Sequence, residues 1–206
     1  MESKEEKLKT LEGEMETNTS LPLRESNLVF GVGNIDSEVM FIGEGPGFYE
    51  DKMKRPFVGR AGQLLDKLII GIGWKREDVY ITNIVKRRPP GNRDPLPEEI
   101  ESYKPYLTCQ IEIISPKIIV PLGRFAMNYF LPAAKITRDN GKVFRSGKCC
   151  VIPLFHPAAA LRSTQVLEEL TEEFSKLPQK IKECESLLLQ PEEPQKESPE
   201  SQKTLF

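Results

Sequence analysis

Four short apolar segments, each followed by a stretch with helical spacing, limit most strongly how this chain can fold. The apolar segments at residues 38–43, 79–85, 117–123 and 149–155 are predicted to be buried strands. Residues 61–72, 97–115 and 164–177, and a stretch that begins at Arg124, are predicted to be helices. Pro105 is expected to kink or break the second helix. This alternation predicts parallel βαβ units, and therefore an α/β fold whose sheet is covered on both faces.

Charge is distributed unevenly along the chain. The 206 residues include 29 Lys and Arg against 31 Asp and Glu, a net charge of -2. Residues 1–26 carry four basic and seven acidic groups, and residues 163–206 carry five basic and ten acidic groups. The body between these ends is left with a net charge of +6. A basic body flanked by acidic ends favours a nucleic-acid partner that the overall charge conceals.

The charge pattern also suggests how the chain is divided. We expect an acidic, partly mobile or weakly helical segment at residues 1–26, a folded domain at 27–178 and a disordered acidic tail at 179–206. No apolar run is long enough to cross a bilayer, and residues 1–20 show no secretion signal. The expected location is therefore the cytoplasm, with the four cysteines reduced.

Loops with chemically useful side chains follow the first and fourth predicted strands. Parallel sheets place their binding sites beyond the carboxyl ends of the strands, where such loops gather. Residues 43–47 contain three glycines, which suit either a tight turn or a close approach to a ligand. His156, the only histidine, follows the fourth strand and has either a structural or a catalytic role. Leu161 and Arg162 beyond it are either a wedge and a phosphate contact or the start of a helix.

Two further segments suggest nucleic-acid binding. Asn83 ends the second strand and offers the donor and acceptor needed to read a pyrimidine edge. The basic run at 86–93 is either a solvated loop or a phosphate-binding segment. Phe57 lies between Arg55 and Arg60, an arrangement that suits either a stacked base beside phosphates or ordinary core packing.

Six motifs occur in an order that resembles the family 4 uracil-DNA glycosylases. They lie at residues 43–51, 55–66, 80–86, 88–93, 121–123 and 156–158. The resemblance implies a three-layer α/β/α sandwich with a central four-stranded parallel sheet. It also implies a monofunctional enzyme that flips uracil out of single- or double-stranded DNA, hydrolyses its N-glycosidic bond and initiates base excision repair.

The resemblance implies a role for each matched residue. Phe57 would stack on uracil, Asn83 would bind its O4 and N3 edge, Gly45 would line the pocket, and His156 would stabilise charge on O2. Glu44 and Glu50 are both candidates for orienting the attacking water, and this choice stays open. The expected DNA contacts are Gly47, Arg60, Lys86, Arg88, Asn92, Arg93, Leu161 and Arg162.

The sequence departs from the family at the iron–sulfur cluster. Typical members bind this cluster through four cysteines, but residues 16–20 contain no cysteine, the third position is Arg87, and the fourth falls at Ser102 or Tyr103. Cys109, Cys149, Cys150 and Cys184 lie elsewhere. We therefore expect no metal and no cofactor, with Arg87 and Tyr103 filling the space.

The remaining predictions concern a partner-binding motif in the last five residues, the oligomeric state and two alternative functions. Gln202, Leu205 and Phe206 resemble a short motif by which repair enzymes bind sliding clamps. The protein is expected to be a monomer that associates with the prokaryotic nucleoid through DNA. The alternatives are a glycosylase for other deaminated bases, such as hypoxanthine or xanthine, and a non-catalytic relative that binds DNA and a clamp.

Overall fold

The fold is a mixed α/β arrangement, seen in a computed structural model that describes residues 2–189. The strands are β1 (Val32–Gly33), β2 (Val39–Gly43), β3 (Tyr80–Asn83), β4 (Ile118–Pro121), β5 (Phe144–Ser146) and β6 (Cys149–Val151). The helices are α1 (Lys4–Thr17), α2 (Phe48–Met53), α3 (Arg60–Gly71), α4 (Pro97–Ile114), α5 (Arg124–Phe130), α6 (Ile136–Asp139), α7 (Pro157–Ala160), α8 (Thr164–Ser175) and α9 (Leu177–Leu188). No helix within these residues has the length and apolarity required to span a membrane.

The sheet has the strand order β1-β3-β2-β4-β6-β5. Its four central strands are parallel, as predicted. The prediction of a four-stranded sheet was incomplete, because β1 and β5 pair antiparallel to β3 and β6 at the two edges. These edge strands are only two and three residues long, too short to show a recognisable alternation of apolar side chains.

Two apolar cores cover the opposite faces of the sheet. Successive β2 side chains alternate between them, because side chains of a strand point to opposite faces in turn. Phe41 packs with Leu65 of α3 and Phe174 of α8, and the Phe41 and Phe174 rings stack at 5.5 Å. Met40 and Ile42 belong to the other core, with residues of α1 and α4. The helices therefore form a layer on each side of the sheet.

Helix α1 makes the N-terminal segment part of the fold. Ser3 caps it in a capping box with Glu6, and Leu8, Leu11 and Met15 are buried at helical spacing against the core that includes α4. The sequence predicted a partly mobile or weakly helical segment here, and the structure shows a helix that packs against the core over residues 4–17. Three buried side chains stabilise this polar helix, and a mainly charged composition gives little sign of such packing.

Helix α9 also extends the fold beyond the predicted domain boundary. Its Leu177 and Cys184 are buried in the core that α8 covers. The disordered tail predicted from residue 179 was therefore wrong for residues 179–188. Gln202, Leu205 and Phe206, the residues predicted to bind a clamp, lie outside the described residues, and that contact stays a prediction.

Pro105 does not break α4, so of the two expected effects, a kink or a break, the break was wrong. The helix is continuous from Pro97 to Ile114 with Pro105 inside it. Pro105 is exposed, so the carbonyl that loses its N–H partner faces water, which can hydrogen-bond it.

Candidate active site

A cavity of about 580 Å³ opens at the carboxyl edge of the parallel strands. Its walls come from the loops after β2, β3, β4 and β6, where the topology predicts a binding site. Ten of the predicted site residues line it: Glu44, Gly45, Gly47, Glu50, Phe57, Asn83, Asn92, Arg93, His156 and Arg162. Arg60, Lys86, Arg88 and Leu161 are not part of its lining.

Asn83 and Phe57 meet at one side of the cavity. Asn83 pairs in register with Gly43 and is only 2% exposed, yet its carboxamide makes no hydrogen bond within residues 2–189. A Cβ on Gly43 would lie 2.5 Å from Asn83 Oδ1 and 2.6 Å from the Phe57 ring. Glycine is needed at residue 43 because a side chain there would collide with both groups.

The backbone of Phe57 has a strained conformation that its neighbours hold. Its φ is 51°, in the left-handed region that residues other than glycine rarely adopt. Arg76 donates hydrogen bonds to the carbonyls of Pro56 and Phe57, at 2.6 and 3.1 Å, and also pairs with Asp66. These hydrogen bonds from Arg76 hold the loop that places the Phe57 ring at the cavity wall.

His156 is held as a neutral hydrogen-bond donor. Its Nδ1 accepts a hydrogen bond from the backbone N–H of Ala158 at 3.1 Å, so the proton of the neutral ring is on Nε2. Burial lowers the pKa of His156 to about 4, although the nearby charge of Glu50 opposes the shift. The ring lies 5.7 Å from the Phe57 ring, between centroids.

Glu44 contributes a carboxyl group to the cavity. Burial raises its pKa to about 6, and a backbone hydrogen bond from Phe125 at 3.3 Å opposes the shift. Gly123, with a φ of 90°, lies between Glu44 and His156, since a Cβ there would be 2.5 Å from Glu44 Oε1 and 3.0 Å from the Cβ of His156. Because its pKa of about 6 lies below 7, Glu44 is largely ionised at neutral pH.

Glu50 has a different environment, although sequence reasoning treated the two carboxylates alike. Its Oε1 accepts hydrogen bonds from the N–H groups of Val58 and Gly59, at 2.9 and 2.7 Å. These bonds connect α2 to the loop that carries Phe57. Glu50 therefore positions that loop, and one of its oxygens is already engaged.

The predicted DNA contacts lie around the mouth of the cavity, with one exception. Arg60, Leu161 and Arg162 are exposed, whereas Arg93 forms a two-fold hydrogen-bonded pair with the Glu99 carboxylate. Arg88 Nε donates to Asn92 Oδ1 at 2.6 Å. Arg60, Arg88 and Arg162 add positive charge to this rim, and the contact of these residues with DNA stays a prediction.

Lys86 is the exception, and its predicted contact with DNA was wrong. It is fully buried, where its ammonium donates to Gln110 Oε1 at 2.6 Å and to the Thr82 hydroxyl. Burial lowers its pKa well below the ordinary value. The segment around residue 29 covers it, since the Val29 N–H donates to the Lys86 carbonyl. A run of basic residues in sequence does not show which of them another segment covers.

Arg87 stands where the resembled family has its third cluster cysteine, and Tyr103 is one of the two candidates for the fourth position. Arg87 is 3% exposed and bonds to the Glu16 carboxylate of α1 at 2.6 Å and to the carbonyl of Ser26. The Tyr103 hydroxyl donates to the carbonyl of Pro22 at 2.7 Å. None of the four cysteines joins this group, and residues 2–189 contain no set of three metal-binding side chains.

Arg76 is the functional residue that sequence reasoning missed. It is distant in sequence from the loop it supports, and only a long-range contact reveals its role. In the sequence it is one of many cations in the basic body of the chain, and nothing local distinguishes it from a surface arginine.

Comparisons with known proteins agree with this arrangement of fold and cavity. The family model described as the uracil DNA glycosylase superfamily matches residues 30–182, so the chain belongs to this superfamily. A type-4 uracil-DNA glycosylase of Archaeoglobus fulgidus is 47% identical over 74% of this chain and 81% of its own length. That of Thermotoga maritima is 46% identical over 79% of this chain and 88% of its own. A type-5 enzyme of Pyrobaculum aerophilum is 29% identical, over 61% and 63% of the two chains.

The state of His156 can be measured directly because the chain has no other histidine. In nuclear magnetic resonance spectra of protein with labelled histidine, we expect a midpoint at about pH 4 and the neutral tautomer with its proton on Nε2 above it. Burial disfavours the charged ring, so the ring stays neutral as pH rises from that midpoint. A midpoint near the ordinary value of about 6.5 would contradict the geometry described for the loop.

Proposed function

We propose that this protein is a monofunctional uracil-DNA glycosylase that hydrolyses the N-glycosidic bond of a uracil flipped out of DNA and leaves an abasic site. The observation that carries the proposal is the Asn83 carboxamide, buried at the cavity wall with both its donor and acceptor unpaired. The amide lines the cavity, so a ligand with a matching edge can pair with both its donor and its acceptor. Release of uracil is the step that initiates base excision repair.

Base recognition follows from the chemistry of the amide. Asn83 Oδ1 accepts from uracil N3–H, and its Nδ2 donates to O4. Cytosine presents an acceptor at N3 and a donor at C4, so the amide in this orientation rejects it. Phe57 provides the stacking face that repays part of the cost of extruding the base.

Departure of the base leaves negative charge on uracil O2. The neutral His156 donates from Nε2 to this oxygen, and its other nitrogen is fixed by Ala158 N–H. A neutral donor suffices because the Ala158 N–H preorganises it. A positively charged ring is not required, which agrees with the lowered pKa of His156.

Glu44 is the better candidate for orienting the attacking water. It lines the cavity and has one backbone hydrogen bond, whereas Glu50 accepts two from the loop of Phe57. The transition state has cation-like character at the sugar, so a nearby carboxylate also stabilises it electrostatically. Gly45 and Gly47 form the remainder of this wall with their backbone.

Contacts with the DNA backbone come from the rim of the cavity. The exposed Arg60, Asn92, Arg93 and Arg162 and the half-buried Arg88 are placed to bind phosphates, which supply much of the affinity for DNA. Leu161, 41% exposed beside the cavity, fills the gap left by the extruded base. The substrate is uracil-containing DNA, and we propose that the protein acts on it as a monomer.

We also propose that no iron–sulfur cluster forms in this protein. The donors at the expected place are a guanidinium, a carboxylate and a phenol, and iron–sulfur clusters are held by thiolates. The residues present therefore do not fit the cluster. The ion pair of Arg87 with Glu16 fastens α1 to the loop after β3, a task that the cluster would otherwise perform.

Uracil excision tests the proposed function. Oligonucleotides with one uracil, hypoxanthine or xanthine are treated with the protein and then with alkali, which cleaves at abasic sites. We expect uracil to be released at least about 100-fold faster than the other bases, because Asn83 matches its edge. A double variant with Glu44→Ala and His156→Ala, purified in the same way, controls for contaminating enzymes. Faster release of hypoxanthine would favour the first alternative, and no release of any base would favour a non-catalytic relative.

The replacement of the cluster is tested by composition and stability. Purified protein should contain no iron, and Glu16→Gln should lower the free energy of unfolding by about 1–3 kcal/mol, because it leaves the buried Arg87 without its charge partner. Glu14→Gln on the exposed side of the same helix is the matched control and should change it by less than about 0.5 kcal/mol. Stoichiometric iron, or equal effects of the two substitutions, would contradict the proposal.

A further inference from the structure

Helix α2 exposes an unusual amount of apolar surface. Phe48 and Tyr49 in its first turn are 51% and 60% exposed, Met53 is 55% exposed, and no residue of the helix is buried. The two rings contact each other edge to face, with centroids 5.4 Å apart. Isolated exposed apolar residues are common, but a contiguous group marks a binding surface.

This aromatic surface is continuous with the cavity mouth. Gly47 precedes Phe48 directly and lines the cavity, as does Glu50 on the same helix. The Arg88 guanidinium lies 5.2 Å above the centroid of the Phe48 ring. Arg88 in turn donates to Asn92, another lining residue. A DNA strand that enters the cavity on the side of α2 therefore passes close to these rings.

The charges around the rings favour an anionic ligand. Lys52, Lys54 and Arg55 are exposed and form no salt bridge with any residue from 2 to 189. The acidic neighbours are engaged elsewhere: Glu50 by the N–H groups of the Phe57 loop, and Asp51 by Asn27. Exposed cations beside exposed aromatic rings are the combination that binds single-stranded nucleic acid.

We propose that Phe48 and Tyr49, supported by Arg88, form a stacking platform for the nucleobase next to the extruded uracil in an unpaired strand. This inference rests on the proposed function, since it takes the cavity as the uracil site. A base beside an extruded neighbour loses one stacking partner, and in single-stranded DNA no complementary strand holds it. The platform restores that partner, so it matters most for single-stranded substrates.

The first test compares uracil excision by wild-type protein and a double variant with Phe48→Ala and Tyr49→Ala. We expect kcat/KM on a single-stranded oligonucleotide to fall at least about tenfold, and the loss on a duplex to be smaller. A double variant with Phe48→Trp and Tyr49→Trp should retain the activity, because it keeps the aromatic faces. Ile70→Ala, which removes a 67% exposed apolar residue of α3, should have no effect. No change in the alanine variant would overturn the proposal, as expected if α2 docks a protein instead.

The second test separates stacking from a general defect. Substrates are prepared with an abasic analogue in place of the nucleotide on either side of uracil. On one of the two sides, removal of the neighbouring base should lower the activity of wild-type protein. The same removal should leave the activity of the alanine variant unchanged. If the alanine substitutions lowered activity by the same factor on every substrate, including those that lack a neighbouring base, stacking would be contradicted. If wild-type protein released no uracil, the proposed function would fail. The stacking platform would then be tested by fluorescence anisotropy, which compares the affinity of wild-type protein and of the same variants for the uncut single strand.

Discussion

The parallel pairing of β2 with β3 is the constraint on which the site depends. Its register sets Gly43 opposite Asn83, so the loop that carries Glu44 and the amide of Asn83 start at the same level of the sheet. On the other side of β2, Ile42 pairs with Pro121, and Leu122 bridges to Leu154 shortly before His156. A slip by one residue would reverse the faces of β3 side chains and separate these groups.

The second requirement is a backbone held in an unfavourable conformation. The left-handed conformation of Phe57 costs on the order of 1 kcal/mol, and it persists because contacts from two sides fix it. Arg76 binds the carbonyls of this loop, and Glu50 binds the N–H groups that follow them. Gly62 permits the close approach of α3, since a Cβ there would lie 2.0 Å from the Phe57 carbonyl oxygen. The orientation of one aromatic ring is thus determined by residues from three separate segments.

Much of this structure could be predicted from local sequence, because buried parallel strands are apolar along their length. The four central strands and helices α3 and α8 follow from that pattern. The motifs likewise predicted which residues line the cavity, including Asn83 and His156. The rest depends on contacts between distant segments: the segment around residue 29 covers Lys86, Glu16 of α1 pairs with Arg87, and Arg76 acts on a loop that precedes it. Neither the tautomer of His156 nor the raised pKa of Glu44 is encoded in residue type alone.

The account centres on Asn83 as the group that reads the base, and a specificity exchange tests it most directly. Single-turnover excision of uracil and of cytosine is measured for wild-type protein, Asn83→Asp and Asn83→Ala. Both substitutions should slow uracil release by at least about 100-fold, because alanine removes both the donor and the acceptor, and aspartate replaces the donor to O4 with a second acceptor. Only Asn83→Asp should gain measurable release of cytosine, since a carboxyl group accepts from the cytosine amino group and, when protonated, donates to its N3. Uracil release by Asn83→Asp at the wild-type rate would contradict the account.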